Sequence, residues 1–197
     1  MDLKWIGLGV LGIAVVFVLF VIILFIGAYN GMVTLDQKVN SSWSEVENQY
    51  QRQADLIPNL ASITASAVKT ETNFVIAVTE ARTKWLNAKT LNEKDQAGVE
   101  MNQSLANFVS AIATNEAYPV LQANKQYVAI MDEVAGTQNR IATARGRFIE
   151  AIQAYNTSIK QIPNNFLAGM FGFTAKEYYS AQSGAMETPV LGEGTLP

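Results

Sequence analysis

The sequence predicts an all-α protein: a single N-terminal transmembrane helix followed by an antiparallel up-and-down bundle of three long helices and a short C-terminal one. Three observations predict it. No charged side chain occurs from Trp5 to Leu35. Beyond that stretch, apolar residues recur in steps of three and four, the period of a helix with one packed face. No alternating strand pattern occurs, and five prolines in 197 residues are few enough for long helices.

The first element is the anchor, residues 1–30. Ile6 to Ala28, with Phe17 and Phe25 inside it, is almost wholly Ile, Leu, Val, Phe, Ala and Gly. As a helix it is roughly 35 Å long, against a bilayer hydrocarbon core of about 30 Å. Lipid offers the backbone no hydrogen-bond partners, so the span must be helical. Trp5 and Tyr29 bracket it, where amphipathic rings prefer the headgroups. A cleaved signal peptide would have a core of roughly 7–15 apolar residues and a small-residue cleavage site. This core is longer, and Phe25-Ile26-Gly27-Ala28-Tyr29 is a poor site. The expectation is therefore a retained single-pass anchor in the cell (inner) membrane, with the lipid bilayer as first partner. Lys4 and Asp2 flank one end and Lys38 and Arg52 the other, a balance that assigns the bundle to neither side of the membrane. Gly27-x-x-x-Gly31 at the exit is either a close-approach spacing for a second helix or a local hinge.

The bundle occupies residues 31–182. Its first helix carries Val39, Trp43, Val46, Tyr50, Ile57, Leu60, Ala67, Phe74, Val78, Ala81 and Trp85 along one seam, with Gln53, Thr64 and Glu71 in the intervening places. The register is the same on both sides of Pro58. This favours one bent helix over residues 31–87, with a break near Lys69–Thr72 as the alternative. Polar residues 87–98 form the first connection. Met101, Leu105, Phe108 and Ile112 mark a second helix, which stops near Tyr118-Pro119 because the residue before proline avoids helical angles. Asn124 is an N-cap for a third helix, with Tyr127, Ile130, Val134, Ile141, Phe148, Ile152, Tyr155 and Ile159 at helical spacing. Residues 163–173 read as an apolar, glycine-bearing link. Thr174-x-x-Glu177 has the capping-box pattern that starts a last short helix. Residues 183–197, rich in Gly, Pro, Glu and Thr, read as a loose tail.

Unbroken, the first bundle helix would be about 85 Å long, against about 35 and 55 Å for the other two. That leaves part of its seam without an intrachain cover. Either the helix breaks elsewhere, or the seam of Val39, Trp43, Val46, Tyr50, Ile57 and Leu60 pairs with a second copy, and the second is the expectation. Arg52, Asp55, Glu71 and Arg145 are expected to set helix register, since polar residues on a seam commonly do so. A charge buried on such a stripe, as at Arg145 or Glu71, requires a partner. Phe166, Phe171 and Phe173, with Leu167 and Met170, are either a cap over the core or a contact patch for the membrane or a partner.

The composition excludes several functions. There is no cysteine and no histidine. Disulfides, thiolate nucleophiles, Ser-His-Asp schemes and histidine metal motifs are therefore absent. A net charge of −3 with no basic stripe argues against nucleic acid. Glu45 and Glu47 diverge around a helix and make a poor cation site with Asp55. No catalytic, metal or cofactor residues are assigned.

The chain resembles the LemA family of membrane-anchored bacterial proteins. The resemblance rests on Tyr29-Asn30, Trp43-Ser44-Glu45-Val46-Glu47-Asn48-Gln49-Tyr50-Gln51-Arg52, Asp55-Leu56-Ile57-Pro58-Asn59-Leu60 and Glu80-Ala81-Arg82. It continues through Ala117-Tyr118-Pro119, Leu121-Gln122-Ala123-Asn124, Gly136-Thr137-Gln138-Asn139-Arg140-Ile141-Ala142, Tyr155-Asn156, Pro163-Asn164-Asn165 and Phe171-Gly172-Phe173. The end departs from the family's pattern: Pro189-Val190-Leu191 is followed by glycines where members often have an aromatic strand-like tail. The resemblance implies a helical bundle behind one transmembrane helix and no established enzymatic activity. It implies partnership with membrane proteins, sometimes near membrane metalloproteases, and one branch is tied to shaping the magnetosome membrane. The expected function is a non-enzymatic, membrane-anchored scaffold, self-associating or serving as a platform. The alternative is an adaptor or regulatory partner of a membrane enzyme such as a protease.

Overall fold

Leu3 to Ala67 form a single helix, α1, of 65 residues. The computed structural model describes residues 3–67, 73–114 and 123–178. Within them α1 is followed by α2 (Asn73–Asn87), α3 (Leu91–Thr114), α4 (Lys125–Ser158) and α5 (Asn164–Phe171), with no strand among the described residues. At 1.5 Å per residue α1 is about 100 Å long. Its N-terminal part is long and apolar enough to cross a membrane. There the large apolar side chains from Leu11 to Ile26 that face outward are 43–73% exposed, an apolar surface all round of the kind a membrane span presents. From Met32 onward, one face of the same helix is buried.

The protein carries Pro58 inside α1. A proline at position i has no N–H to give the carbonyl of residue i−4. Here that carbonyl belongs to Ala54, which is fully buried. Arg82 supplies the missing donor: its Nε lies 2.8 Å from the Ala54 oxygen. The helix continues through the proline because a side chain from α2 replaces the lost backbone bond.

That contact also corrects the expected first bundle helix over residues 31–87. The chain reverses between Ala67 and Asn73, and α2 lies back along α1. The Tyr50 and Trp85 rings are 6.4 Å apart, and Ile57, Leu60 and Ala61 line one small gap with Val75, Val78 and Thr79. In one continuous helix residues 50 and 85 would be about 50 Å apart. The seam stays in register across the break, so periodicity alone could not reveal the turn. Residues 68–72, with the alternative break point and Glu71, lie outside the described residues.

Cross-helix pairs give the topology. Glu47 meets Lys94 at 3.2 Å, and Gln53 donates to Asn102 at 2.7 Å, so α3 runs parallel to α1. Glu45 meets Arg147 at 2.7 Å and Arg52 meets Glu133 at 2.9 Å, so α4 runs back. The order is up, down, up, down. The part of α1 beyond Asn30 is about 55 Å long and α4 is about 51 Å, so the main packing partners match.

Local signals explain the starts of α4 and α3. Asn124 Oδ1 accepts from the N–H groups of Gln126 at 2.9 Å and Tyr127 at 3.3 Å, capping α4 as expected. The first connection is shorter than the expected 87–98. Thr90 and Glu93 form a capping box, with Glu93 Oε2 accepting from the N–H groups of Lys89 and Thr90 at 2.9 and 3.2 Å, and α3 begins at Leu91. These backbone bonds hold the Glu93 carboxyl below its ordinary value.

The C-terminal region differs from expectation. The expected link contains α5, which ends at Gly172 with φ 77°, and Phe173 N–H reaches back to Ala168 O at 3.0 Å. This is the left-handed cap that glycine accepts without steric cost. The helix expected from Thr174 does not form in the described part; residues 173–178 have no regular secondary structure and lie against α4. Asn156 grips Lys176 with two bonds of 2.8 Å, its Nδ2 donating to the Lys176 carbonyl and its Oδ1 accepting from the N–H. Tyr155 hydroxyl donates to Thr174 O at 3.1 Å. With the Thr174 carbonyl and both backbone groups of Lys176 engaged by α4, this strap is held without a helical ladder. The expected stop at Tyr118-Pro119 and the tail 183–197 lie outside the described residues.

Candidate functional site

Three places bring chemistry-bearing side chains together. The first is inside the bundle. Arg145, on α4, reaches between α1 and α3. Its guanidinium pairs with the Asp95 carboxylate through Nη1–Oδ1, with Nη2 3.4 Å from Oδ2. Nη1 also donates to the Tyr50 hydroxyl at 3.3 Å. The Arg145 and Asp95 side chains are 16% and 10% exposed. The Tyr50 ring fits because residue 98 is glycine; a Cβ there would stand 2.7–2.8 Å from three ring carbons. Burial pushes the Asp95 carboxyl above its usual range against the pull of Arg145, and likewise raises the Tyr50 hydroxyl. Burial works against the Arg145 charge too, but Tyr50 and Asp95 outweigh it and hold the guanidinium more firmly protonated. The arrangement ties three helices at one level and is filled by its own ring and guanidinium.

The second is a cavity of about 300 Å³ between α1, the start of α3, α4 and the strap. Val39, Trp43, Leu91, Phe148 and Ile152 give it an apolar wall, and Asn40, Lys176 and Glu177 a polar edge. Trp43 and Phe148 rings lie 5.3 Å apart. Lys176 Nζ is held by Asp36 at 2.7 Å. The cavity accepts an apolar body and offers no paired acid and base.

The third lies where α1 leaves its apolar stretch. Tyr29 meets the rings of Phe171 at 4.9 Å and Phe173 at 5.7 Å, both edge to face. α5 buries Leu167 and Ala168 and leaves Phe166 and Phe171 exposed. Leu167 and Ala168 thus cap the core, while Phe166, Met170 and Phe171 of the same short helix stay on the surface.

The expected self-association seam is corrected. Val39, Val46, Tyr50, Ile57 and Leu60 are at most 2% exposed, and Trp43 is half-buried against Phe148. They form the core of one chain, not a face left for a second copy. The reason is the reversal after Ala67, which folds the supposed excess of α1 back as α2. Of the expected register-setting residues, Arg145 meets Asp95, while Arg52 reaches Glu133 at the surface. Arg140 and Arg52 together hold the Glu133 carboxyl below its ordinary value. Asp55 accepts from Gln51 at 2.8 Å within α1. Among the anchor residues, Phe17, Phe25 and Tyr29 are exposed; the Trp5 and Ile6 side chains lie outside the described residues. Sequence reasoning missed Asp95 and Gly98. Asp95 sits in the charged run Glu93-Lys94-Asp95, where nothing distinguishes it from a solvated face. Among the described residues no three Asp or Glu side chains gather as a metal site.

Comparison with known proteins places this architecture. A LemA family model matches residues 42–191, from just before Trp43 through the bundle. The magnetosome protein MamQ 2 of Paramagnetospirillum magneticum is 25% identical over 186 residues, covering 83% of this chain and 68% of that protein. Magnetosome protein MamQ of Magnetospirillum gryphiswaldense is 25% identical over 187 residues, with the same coverage. With more than half its length matched by the family, a helix able to cross a membrane and a helical bundle behind it, this chain belongs to the LemA family.

Proposed function

We propose that the protein is a non-enzymatic platform, held in the membrane by α1, that presents its bundle to other membrane proteins at a fixed height and orientation. The observation that carries this reading is the continuity of α1. The helix passes from its lipid-type surface into the bundle core with no turn or linker between. A tethered domain would have a flexible joint there; a rigid post has none. Two further facts support it. The core is complete within one chain, which leaves the polar outer faces for partners. The relatives carrying the magnetosome protein name fit a role at a membrane surface.

A photo-crosslinking amino acid at exposed Glu80, Asp132 or Gln153, in membranes of the producing cell, tests the reading. One discrete adduct with a different membrane protein is expected. Inserting a flexible Gly-Ser linker between Asn30 and Gly31 should weaken that adduct. No adduct from any of these faces, or extraction of the protein from membranes by alkaline carbonate, overturns the proposal.

A further inference from the structure

From Gln161 to Ala175 the chain has no charged residue. This segment contains α5, and it closes the end of the bundle that abuts the apolar part of α1. Phe171 and Phe173 stack on Tyr29, one residue past the run Ile6–Ala28. A tyrosine at the end of a span sits at headgroup depth, so rings within 6 Å of it lie at that depth as well. α5 turns Leu167 and Ala168 into the core and leaves Phe166, Met170 and Phe171 67, 76 and 56% exposed, with Ile162, two residues before it, 79% exposed. Apolar side chains gathered on one exposed end mark a contact. Charges appear only at the borders of the segment. Lys160 is exposed on one side, and Lys176 is paired with Asp36 on the other.

We propose that Ile162, Phe166, Met170 and Phe171 insert into the outer layer of the same bilayer that α1 crosses, making α5 a second, shallow membrane contact. The occupant is lipid rather than a protein because the patch is continuous, through Tyr29, with the surface that α1 shows to lipid. A single crossing helix leaves rotation about its own axis free. A second contact beside it fixes which side of the bundle faces along the membrane. The inference rests on α1 being the anchor.

The chain has no cysteine, so single spin labels can be placed by Phe166→Cys and Met170→Cys. Asn165→Cys, at an exposed position, leaves all four apolar side chains intact. The full-length variants go into nanodiscs of phosphatidylcholine and phosphatidylglycerol with no other protein present. Phe17→Cys reports the span, and Gln126→Cys, at the far end of α4, reports water. Labels at 165, 166 and 170 are expected to show several-fold lower accessibility to a water-soluble nickel relaxant than the label at 126, and higher accessibility to oxygen. If they match the label at 126 while the label at 17 is in lipid, the patch is water-exposed or awaits a protein, and the inference is overturned. If the label at 17 also reads water, the anchor itself falls, and the inference with it.

Discussion

Substituting Arg82→Met should destabilise the bundle strongly only while residue 58 is proline. Pro58 cannot give an N–H to Ala54 O. Ala54 is 0% exposed, so water cannot replace the donor, and the Arg82 Nε at 2.8 Å does so. Methionine keeps most of the apolar stem and removes the donor. A hydrogen bond from a charged group is worth about 1.5–3 kcal/mol, and a buried carbonyl left without a partner costs about 1–3 kcal/mol. These are two views of the same loss, so a cost of about 2 kcal/mol is expected. In the Pro58→Ala background, residue 58 has its own N–H aimed at Ala54. Arg82→Met should then cost less than about 1 kcal/mol, a coupling of about 1–2 kcal/mol. The assay is urea unfolding of the four detergent-solubilised full-length proteins, each also carrying Trp5→Phe and Trp43→Phe so that the remaining fluorescence is that of Trp85, which lies beside Tyr50. Equal costs of Arg82→Met in the two backgrounds would refute the reasoning, since Arg82 would then act by packing or charge and not by repairing the helix.

Three further outcomes follow from the interior and from the α3 cap. Gly98→Ala should destabilise in spite of better helix propensity. Its Cβ would meet the Tyr50 ring at 2.7 Å, and overpacking of about 1–3 kcal/mol outweighs a propensity gain of about 1 kcal/mol; a higher melting temperature would show that the ring can retreat. Asp95→Ala should cost about 3–5 kcal/mol by leaving Arg145 buried without a counter-charge, whereas the pair Asp95→Leu with Arg145→Met should lie close to the parent protein in chemical denaturation. The Glu93 carboxyl is held below its ordinary value of 4.5 by backbone donors. Its stabilising contribution is therefore fully present above the unfolded value and lost as pH falls through the lower, folded one. NMR titration should place its midpoint below 4.5, and Glu93→Gln should remove that part of the acid sensitivity.

Features set by neighbours in sequence were legible from the chain alone. The apolar run, the Asn124 cap and the Tyr127-to-Ile159 stripe all follow from residues close together, and all are present. What depended on distant residues was not legible. The seam continues in register past Ala67, so periodicity reads through a reversal of direction. Whether the helix survives Pro58 depends on Arg82, whose bond to the Ala54 carbonyl spans 28 residues of sequence. The Thr-x-x-Glu form of the capping box occurs at Thr90-x-x-Glu93 and at Thr174-x-x-Glu177, and among the described residues only the first starts a helix. At the second, Asn156 and Tyr155 engage the backbone before an i, i−4 ladder can. The outward patch was visible as composition; its seat against Tyr29 was not, because nothing local relates residues 29 and 171.

The unjointed passage of α1 from its apolar half to its packed half makes the protein a lever. Spanning helices adjust to bilayer thickness by leaning. A change in lean of about 10° lies within the ordinary range for such helices. Over the roughly 55 Å of α1 beyond Asn30, it sweeps the far end of the bundle sideways by about 10 Å. In a bilayer crossed by α1, a few ångströms of thinning or thickening would thus become a lateral displacement of the bundle's far end several times larger than the change that caused it.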